Sequence, residues 1–237
     1  ITSKAQFKEN VGEAGKAYIE WAHNNGYKVW AMVSNSYEEN MIETTSKIMN
    51  NYKYRQALIE NIVDVCVKYK LDGINIDFEN MKKEDKDMFS RFIIELTPRM
   101  KEVGLVTSVD VTAPNGAENW SMCYDRNLIG EVADYIVFMG YDQYGASTIG
   151  TTSGYNWLVN SIKSMLTYDE VPADKLILGL PFYTKLWQTK NDQTIKGTAI
   201  GMNSVSASIP ANVEKQWKED LQQYYVEYEQ KGYVYKM

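Results

Sequence analysis

Short apolar runs alternate with longer amphipathic segments along this chain, and that alternation predicts repeated strand–helix–strand units. KVWAMVS (28–34), GINIDFE (73–79), LVTSVDVTAP (105–114), DYIVFMGYD (134–142) and KLILGLPFY (175–183) read as strands. Residues 54–70, 86–103 and 157–167 carry helical periodicity between them. In the second of these helices Met88, Phe89, Phe92, Ile93, Leu96 and Met100 recur at helical spacing, which turns one face inward. Repeated order of this kind implies an α/β fold with a parallel sheet.

An open doubly wound sheet alternates in the same way, but its nucleotide sites need a glycine-rich turn after a strand. Neither GxGxxG nor GxxxxGK[ST] occurs in the sequence. A (β/α)8 barrel of the TIM type is therefore the preferred architecture. Such a barrel takes eight strands in about 250 residues. The strands above, with a weak opening segment, fall short of that, so the barrel reads as incomplete at both ends. Residues 1–187 make up its core. Beyond Trp187 the pattern becomes polar and short-ranged and then amphipathic over 212–230, so residues 188–237 read as an excursion leading toward a last strand that is not found. Unpaired barrel edges leave self-association open, or completion by another chain or segment.

Composition narrows the chemistry. A length of 237 residues with 44% hydrophobic content is enough for one good core. There is no run of about 18 apolar residues and no basic-then-apolar opening, so membrane insertion and a signal peptide are not expected. A formal net charge of −6 without a basic block argues against a nucleic-acid partner. With Cys66 and Cys123 its only cysteines and His23 its one histidine, the chain offers no disulfide framework, no histidine-based triad and no zinc cluster. Eighteen Tyr and six Trp suit the faces of sugars, although most aromatics in any domain are core.

The residues that carry chemistry lie in DGINIDFE (72–79). Asn75, Asp77 and Glu79 alternate with Ile74, Ile76 and Phe78, so in a strand the three polar residues share one face, directed into the barrel. Carboxyls placed there are costly unless they are paired or used. Two of them two residues apart raise the pKa of one, which can then stay protonated near neutral pH and donate to a leaving oxygen. Glu79, nearest the C-terminal end where barrel sites gather, is the natural donor, with Asp77 one layer deeper as its partner. An internal hydrogen-bonded network without a reaction is the competing reading. Asp72 and Gly73 shape the start of the strand, and Trp120 either lines the cleft or covers a hydrophobic edge.

DGINIDFE resembles the DxxDxDxE signature of glycoside hydrolase family 18, the chitinase-like barrels. FMGYD (138–142) is similar to the family's sixth-strand motif and LGLPFYTKLW (178–187) to its seventh, and both stand in the right order. The wording DGINIDFEN with SVDVTAP resembles the bacterial branch of spore-germination, cortex-lytic N-acetylglucosaminidases. The resemblance implies substrate-assisted retaining hydrolysis, in which the substrate's acetamido oxygen attacks the anomeric carbon and no protein nucleophile is needed. It implies that Glu79 protonates the glycosidic oxygen and later activates water, that Asp77 orients the acetamido N–H, and that Tyr141 bonds the acetamido oxygen. Asn75, Met139, Asp142, Gln143, Tyr183 and Trp187 are the implied substrate-binding residues, with core packing the alternative for Met139 and Trp187 and an ordinary half-buried aromatic the alternative for Tyr141.

The implied substrate is an N-acetylated glycan: peptidoglycan or spore cortex cut at β-1,4 bonds after N-acetylglucosamine, or chitin oligomers. A non-catalytic amino-sugar-binding module and an inactive fragment are the rival readings, and a chain lacking strands is expected to be weakly active or inactive. No metal and no organic cofactor is implied. A bacterial envelope, spore or extracellular location follows from the resemblance alone. In two respects the sequence departs from the family pattern. Asn75 stands where an aspartate is usual, so Asp77 is expected to be less perturbed, and the final strand with its Trp is not found before Met237.

Overall fold

The computed structural model describes residues 4–6, 8–36, 40–191 and 193–237. By contact the chain divides into two compact units, Ile1–Phe138 with Met165–Ile177, and Met139–Ser164 with Leu178–Met237.

The first unit opens with α1 (Gly12–Asn24), followed by β1 (Trp30–Ser34), α2 (Met41–Met49), α3 (Tyr52–Tyr69) and β2 (Gly73–Asp77). α4 (Lys86–Glu102), β3 (Val106–Val111), α5 (Arg126–Val132) and β4 (Tyr135–Met139) come next, and α6 (Tyr155–Thr167), most of which belongs to the second unit, leads to β5 (Leu176–Gly179), which the division cuts after Ile177. The strands form one five-stranded sheet in the order β1-β2-β3-β4-β5. β1 with β2, β2 with β3 and β3 with β4 are all parallel. Each connection passes through helix, as parallel pairing requires. The fold is thus the expected α/β barrel wall, and with five strands in this sheet the barrel is incomplete among the described residues.

The strands are shorter than their apolar runs suggest. β2 ends at Asp77, which leaves Phe78 and Glu79 off the ladder, and at Asn80, with φ +51°, the chain enters left-handed backbone. β5 ends at Gly179, and Pro181, which has no N–H to donate, separates it from a strand in another sheet.

α3 is capped by Asn51, whose Oδ1 accepts from the Tyr54 N–H at 3.2 Å, and it stops at Lys70 with φ +55°. The sequence then delivers Asp72, whose carboxylate gathers α1 and the start of β1. Burial works against its charge, but Lys28, the Val29 N–H and His23, each within 2.9 Å, outweigh that and hold its pKa down at about 2. Gly73 is required sterically, since a Cβ there would lie 2.6 Å from the Val106 carbonyl oxygen.

Between the sheet and α4 sits the aromatic core. Phe78 stacks on Phe92 with centroids 5.8 Å apart and planes 7° apart, and Phe89 lies 5.9 Å from Phe78 with Tyr124 edge-on to it. On α4, Phe89, Phe92, Ile93, Leu96 and Met100 are fully buried, whereas Met88 lies half-buried at the border of that stripe. Cys66 on α3 lies behind β2 with its Sγ 4.0 Å from the Gly73 carbonyl, and burial pushes its thiol up to about 12. Cys123, also buried and unpaired, is pushed up by burial to about 11.

In the second unit β6 (Tyr183–Lys190) and β7 (Gln193–Gly201) form an antiparallel hairpin. With β10 (Glu227–Gln230) and β11 (Tyr233–Lys236) they make a sheet of order β10-β11-β6-β7, while β8 (Gln216–Lys218) pairs with β9 (Gln223–Tyr225). A short helix, α7 (Val205–Ser208), follows β7. The polar segment after Trp187 and the amphipathic stretch over 212–230 therefore resolve largely into short paired strands. Their alternating Thr, Ile, Tyr and Val residues suit a half-buried pleat.

No helix among the described residues is long and apolar enough to cross a membrane.

Candidate active site

The period of two in β2 settles how the inner row is presented. Ile74, Ile76 and Phe78 are at most 1% exposed, and the intervening Asn75, Asp77 and Glu79 are half-buried on the other face. Burial raises the Asp77 carboxyl above its ordinary range, and a hydrogen bond with Glu79 draws it part of the way back. The Oδ1 of Asp77 is buried without a hydrogen-bond partner. A carboxyl so placed favours holding a proton, or sharing one with its neighbour.

Glu79 lies just past the C-terminal end of β2, and its main chain is held from two distant elements. Its N–H donates to Asn35 Oδ1 at 2.9 Å, and Asn35 Nδ2 donates back to the Glu79 carbonyl at 2.8 Å and to Thr45 Oγ1 at 3.0 Å. On the preceding peptide, the Tyr124 hydroxyl donates to the Phe78 carbonyl at 2.7 Å. Asn35, 1% exposed, thus does for an off-ladder residue what strand pairing does for the others. Asn35→Ala is expected to cost about 1–3 kcal/mol, the penalty for stranding buried polar groups. Urea unfolding followed at the first unit measures it, and a change within about 0.5 kcal/mol, no larger than an ordinary surface substitution gives, would show that these bonds hold nothing.

β3 contributes to the same row. Asn75 Nδ2 donates to Ser108 Oγ at 3.0 Å and to Asp110 Oδ1 at 2.8 Å. Asp110 is 9% exposed, and burial pushes its pKa up to about 6, with the Asn75 bond opposing and the Asp77 charge adding to the rise. Asn75 therefore does not leave Asp77 without an acidic neighbour; that neighbour stands on the adjacent strand. Beyond β3, Arg126 donates to the Thr112 carbonyl at 2.9 Å and to Ser121 Oγ at 3.2 Å. Thr112 donates to the carbonyl of half-buried Trp120. Among the described residues no group of three or more His, Cys, Asp or Glu is arranged to hold a metal ion.

In the second unit, Tyr183, Lys185 and Trp187 share one face of β6, and the turn after β4 lies on it. Asp142, in left-handed backbone at φ +55°, accepts from the Tyr183 hydroxyl at 2.6 Å and is paired with the ammonium of buried Lys185. Lys185 also donates to the Tyr144 carbonyl, and Trp187 Nε1 donates to the Gly145 carbonyl at 3.3 Å. Tyr141 stands edge-on to Tyr183 with centroids 6.3 Å apart. Gln143 is turned to the backbone, its Oε1 accepting from the Gly154 N–H at 2.9 Å. Met139 and Trp187 are 7% and 1% exposed, so both pack rather than present a face.

The structure thus joins Asn75, Asp77 and Glu79 in one row of the first unit and Tyr141, Asp142, Tyr183 and Trp187 around one turn of the second. Sequence reading passed over Asn35, Ser108, Asp110, Tyr124 and Lys185. Only the β3 pair carried a local signal, since Ser108 and Asp110 alternate with Val109 and Val111 as the residues of β2 do.

A parallel, helix-covered sheet with carboxyls at the C-terminal end of one strand places them where barrel enzymes gather their sites. The chain belongs to glycosyl hydrolases family 18, which it matches over residues 3–236. It is 28% identical over 204 residues to the uncharacterized glycosylase YvbX of Bacillus subtilis, covering 81% of this chain and 58% of that protein. It is 25% identical over 144 residues to the cortical fragment-lytic enzyme of Bacillus subtilis, covering 59% of this chain and 33% of that protein. The crystal structure of the putative sporulation-specific glycosylase ydhD from Bacillus subtilis superposes with a TM-score of 0.88 at 24% identity, over 100% of this chain and 78% of that one. The chain spans between about a third and three fifths of the length of the two curated relatives it matches here.

Proposed function

We propose that this chain carries the hydrolytic machinery of a glycosidase that cleaves β-1,4 bonds following N-acetylglucosamine in bacterial peptidoglycan or spore cortex. The observation that carries the reading is the Asp77–Glu79 pair, with Asp77 raised by burial and the Glu79 peptide held by Asn35 and Tyr124. Likeness to a cortical fragment-lytic enzyme favours cortex over chitin.

The reaction proposed is substrate-assisted and retaining. Glu79 gives its proton to the glycosidic oxygen as the bond to the anomeric carbon breaks. The substrate's acetamido oxygen closes on that carbon from the opposite face and forms an oxazolinium ring. Asp77 accepts a hydrogen bond from the acetamido N–H and offsets the positive charge developing there. Glu79, now a carboxylate, takes a proton from water, which adds to the anomeric carbon, opens the ring and restores the configuration. Tyr141 is assigned to the acetamido oxygen and Asp142, oriented by Tyr183 and Lys185, to the same group. Asn75, Gln143 and Tyr183 are assigned to substrate binding. Met139 and Trp187, buried within their unit, are assigned to supporting those residues from behind.

Release of reducing ends from muropeptide-bearing glycan and from N-acetylglucosamine oligomers tests the reading. Faster cleavage of the muropeptide glycan, with the β-anomer as first product, is expected. Preference for the oligomers would move the substrate to chitin. Binding of either glycan without cleavage would make this an amino-sugar-binding module.

A further inference from the structure

The hydrolytic reading assigns the row on β2 and leaves Asp110 on β3 without a role. Asp110 is nonetheless the most deeply placed carboxyl of the group, 9% exposed beside the half-buried Asp77. Burying a carboxyl costs free energy that apolar side chains of similar size would not, so its presence asks for a return. Its surroundings supply one. Both N–H groups of the Asn75 amide are committed to β3, one to Ser108 Oγ and one to Asp110 Oδ1, and this fixes the plane and sense of that amide. Asp77, two residues further along the same face, is close enough for its charge to act on Asp110.

Resting on the hydrolytic reading, we propose that Asp110 is a positioning residue for the Asp77–Glu79 pair: it fixes the Asn75 amide beside the pair and, when ionised, its charge keeps the shared proton on it. Repulsion between two charges is mutual, so if Asp77 acts on Asp110, then Asp110 acts on whichever proton of the pair leaves after it has ionised. Below about pH 6 Asp110 is mostly neutral and its effect is the hydrogen bond alone. Above it, a second buried negative charge opposes loss of the pair's last proton and extends the pH range over which Glu79 can act as an acid.

Few other groups can compete for this role. On β2 the ionisable neighbours are Asp77 and Glu79, and β1 sets Ser34 opposite Asp77. β4 sets Val137 opposite Asp110 and Tyr135 opposite Ser108. Tyr124, held neutral by burial, and Arg126, bonded to the Thr112 carbonyl, complete the set from the segment around α5.

The test is a carboxyl-carbon NMR titration of the whole chain, comparing wild type with Asp110→Asn, which keeps the size and an acceptor for Asn75. The last proton of the Asp77–Glu79 pair should leave about one pH unit lower in the variant, the size expected when one nearby charge is removed from a partly screened site. The alkaline limb of kcat/KM against pH should move down with it. An unchanged titration of the pair overturns the proposal, even if activity falls, because a merely structural residue would lower the rate without moving the limb. A shifted titration in a chain that cleaves no glycan upholds the coupling and removes the hydrolytic reading instead. Should Asp110→Asn fail to fold, Asn75→Ala supplies a second measurement. Loss of its hydrogen bond should raise the Asp110 titration above about pH 6, and an unmoved Asp110 overturns the proposal.

Discussion

Glu79→Gln is expected to reduce glycan hydrolysis by about 100-fold or more relative to the unsubstituted chain, since a positioned acid–base group typically contributes that much. The substitution is close to isosteric and leaves the fold's hold on this position intact, because Asn35 and Tyr124 bind the main chain at residues 78–79 and not the side chain. A glutamine can still bond Asp77, but it has no proton to release to a leaving oxygen and no basic form to activate water. Both halves of the proposed reaction therefore fail together. The substitution also brings an amide donor beside Asp77, a carboxyl now raised by burial, so thermal stability should hold or rise slightly. Rates per folded molecule on muropeptide-bearing glycan make the comparison. A variant that keeps more than about a tenth of the rate would move the acid elsewhere.

Phe92→Ala is expected to cost about 3–5 kcal/mol and to lower the melting temperature by roughly 10 °C. Phe92 is fully buried on α4 and stacks on Phe78, the residue that immediately precedes Glu79. Removing the ring opens a cavity between helix and sheet, and the neighbours cannot fill it: Phe78 is fixed by its place on the chain and Phe89 by its own helix. Phe92→Leu should cost roughly half as much, because it keeps the apolar character and loses mainly shape. Denaturant unfolding monitored in the first unit separates these values from events in the second. A loss below about 1 kcal/mol for the alanine variant would mean that the layer relaxes around the hole.

What the sequence revealed follows the range over which each signal acts. The row Asn75-Asp77-Glu79 was legible because a strand's period of two is local, and polar residues recurring in an otherwise apolar run stand out. The buried face of α4 was legible for the same reason at helical period, with Met88 falling at its border. β3 shows where this reasoning weakens. Residues Thr107 to Val111 are all buried, so burial does not follow the pattern there, and Ser108 and Asp110 were absorbed into a strand without being singled out. Asn35 was out of reach in principle: it meets Glu79 across 44 positions of sequence, and nothing near either residue announces the pairing. In the second unit, the segment after Trp187 read as an irregular excursion because short strands of mixed polarity carry a weak period. The pairing of β11 with β6, which sets Val234 against Thr189 across 45 positions of sequence, is what organises it.

The two buried thiols give the protein a built-in clock. With Cys66 pushed up to about 12 and Cys123 to about 11, almost no thiolate exists at neutral pH while the core is closed. An alkylating reagent therefore reacts only with molecules that have opened, at a rate set by the opening equilibrium. Cys66 lies between α3 and the Gly73 carbonyl at the root of β2. Its labelling rate reports how often the strand bearing the acid comes away from the helix behind it, without any probe having to be introduced.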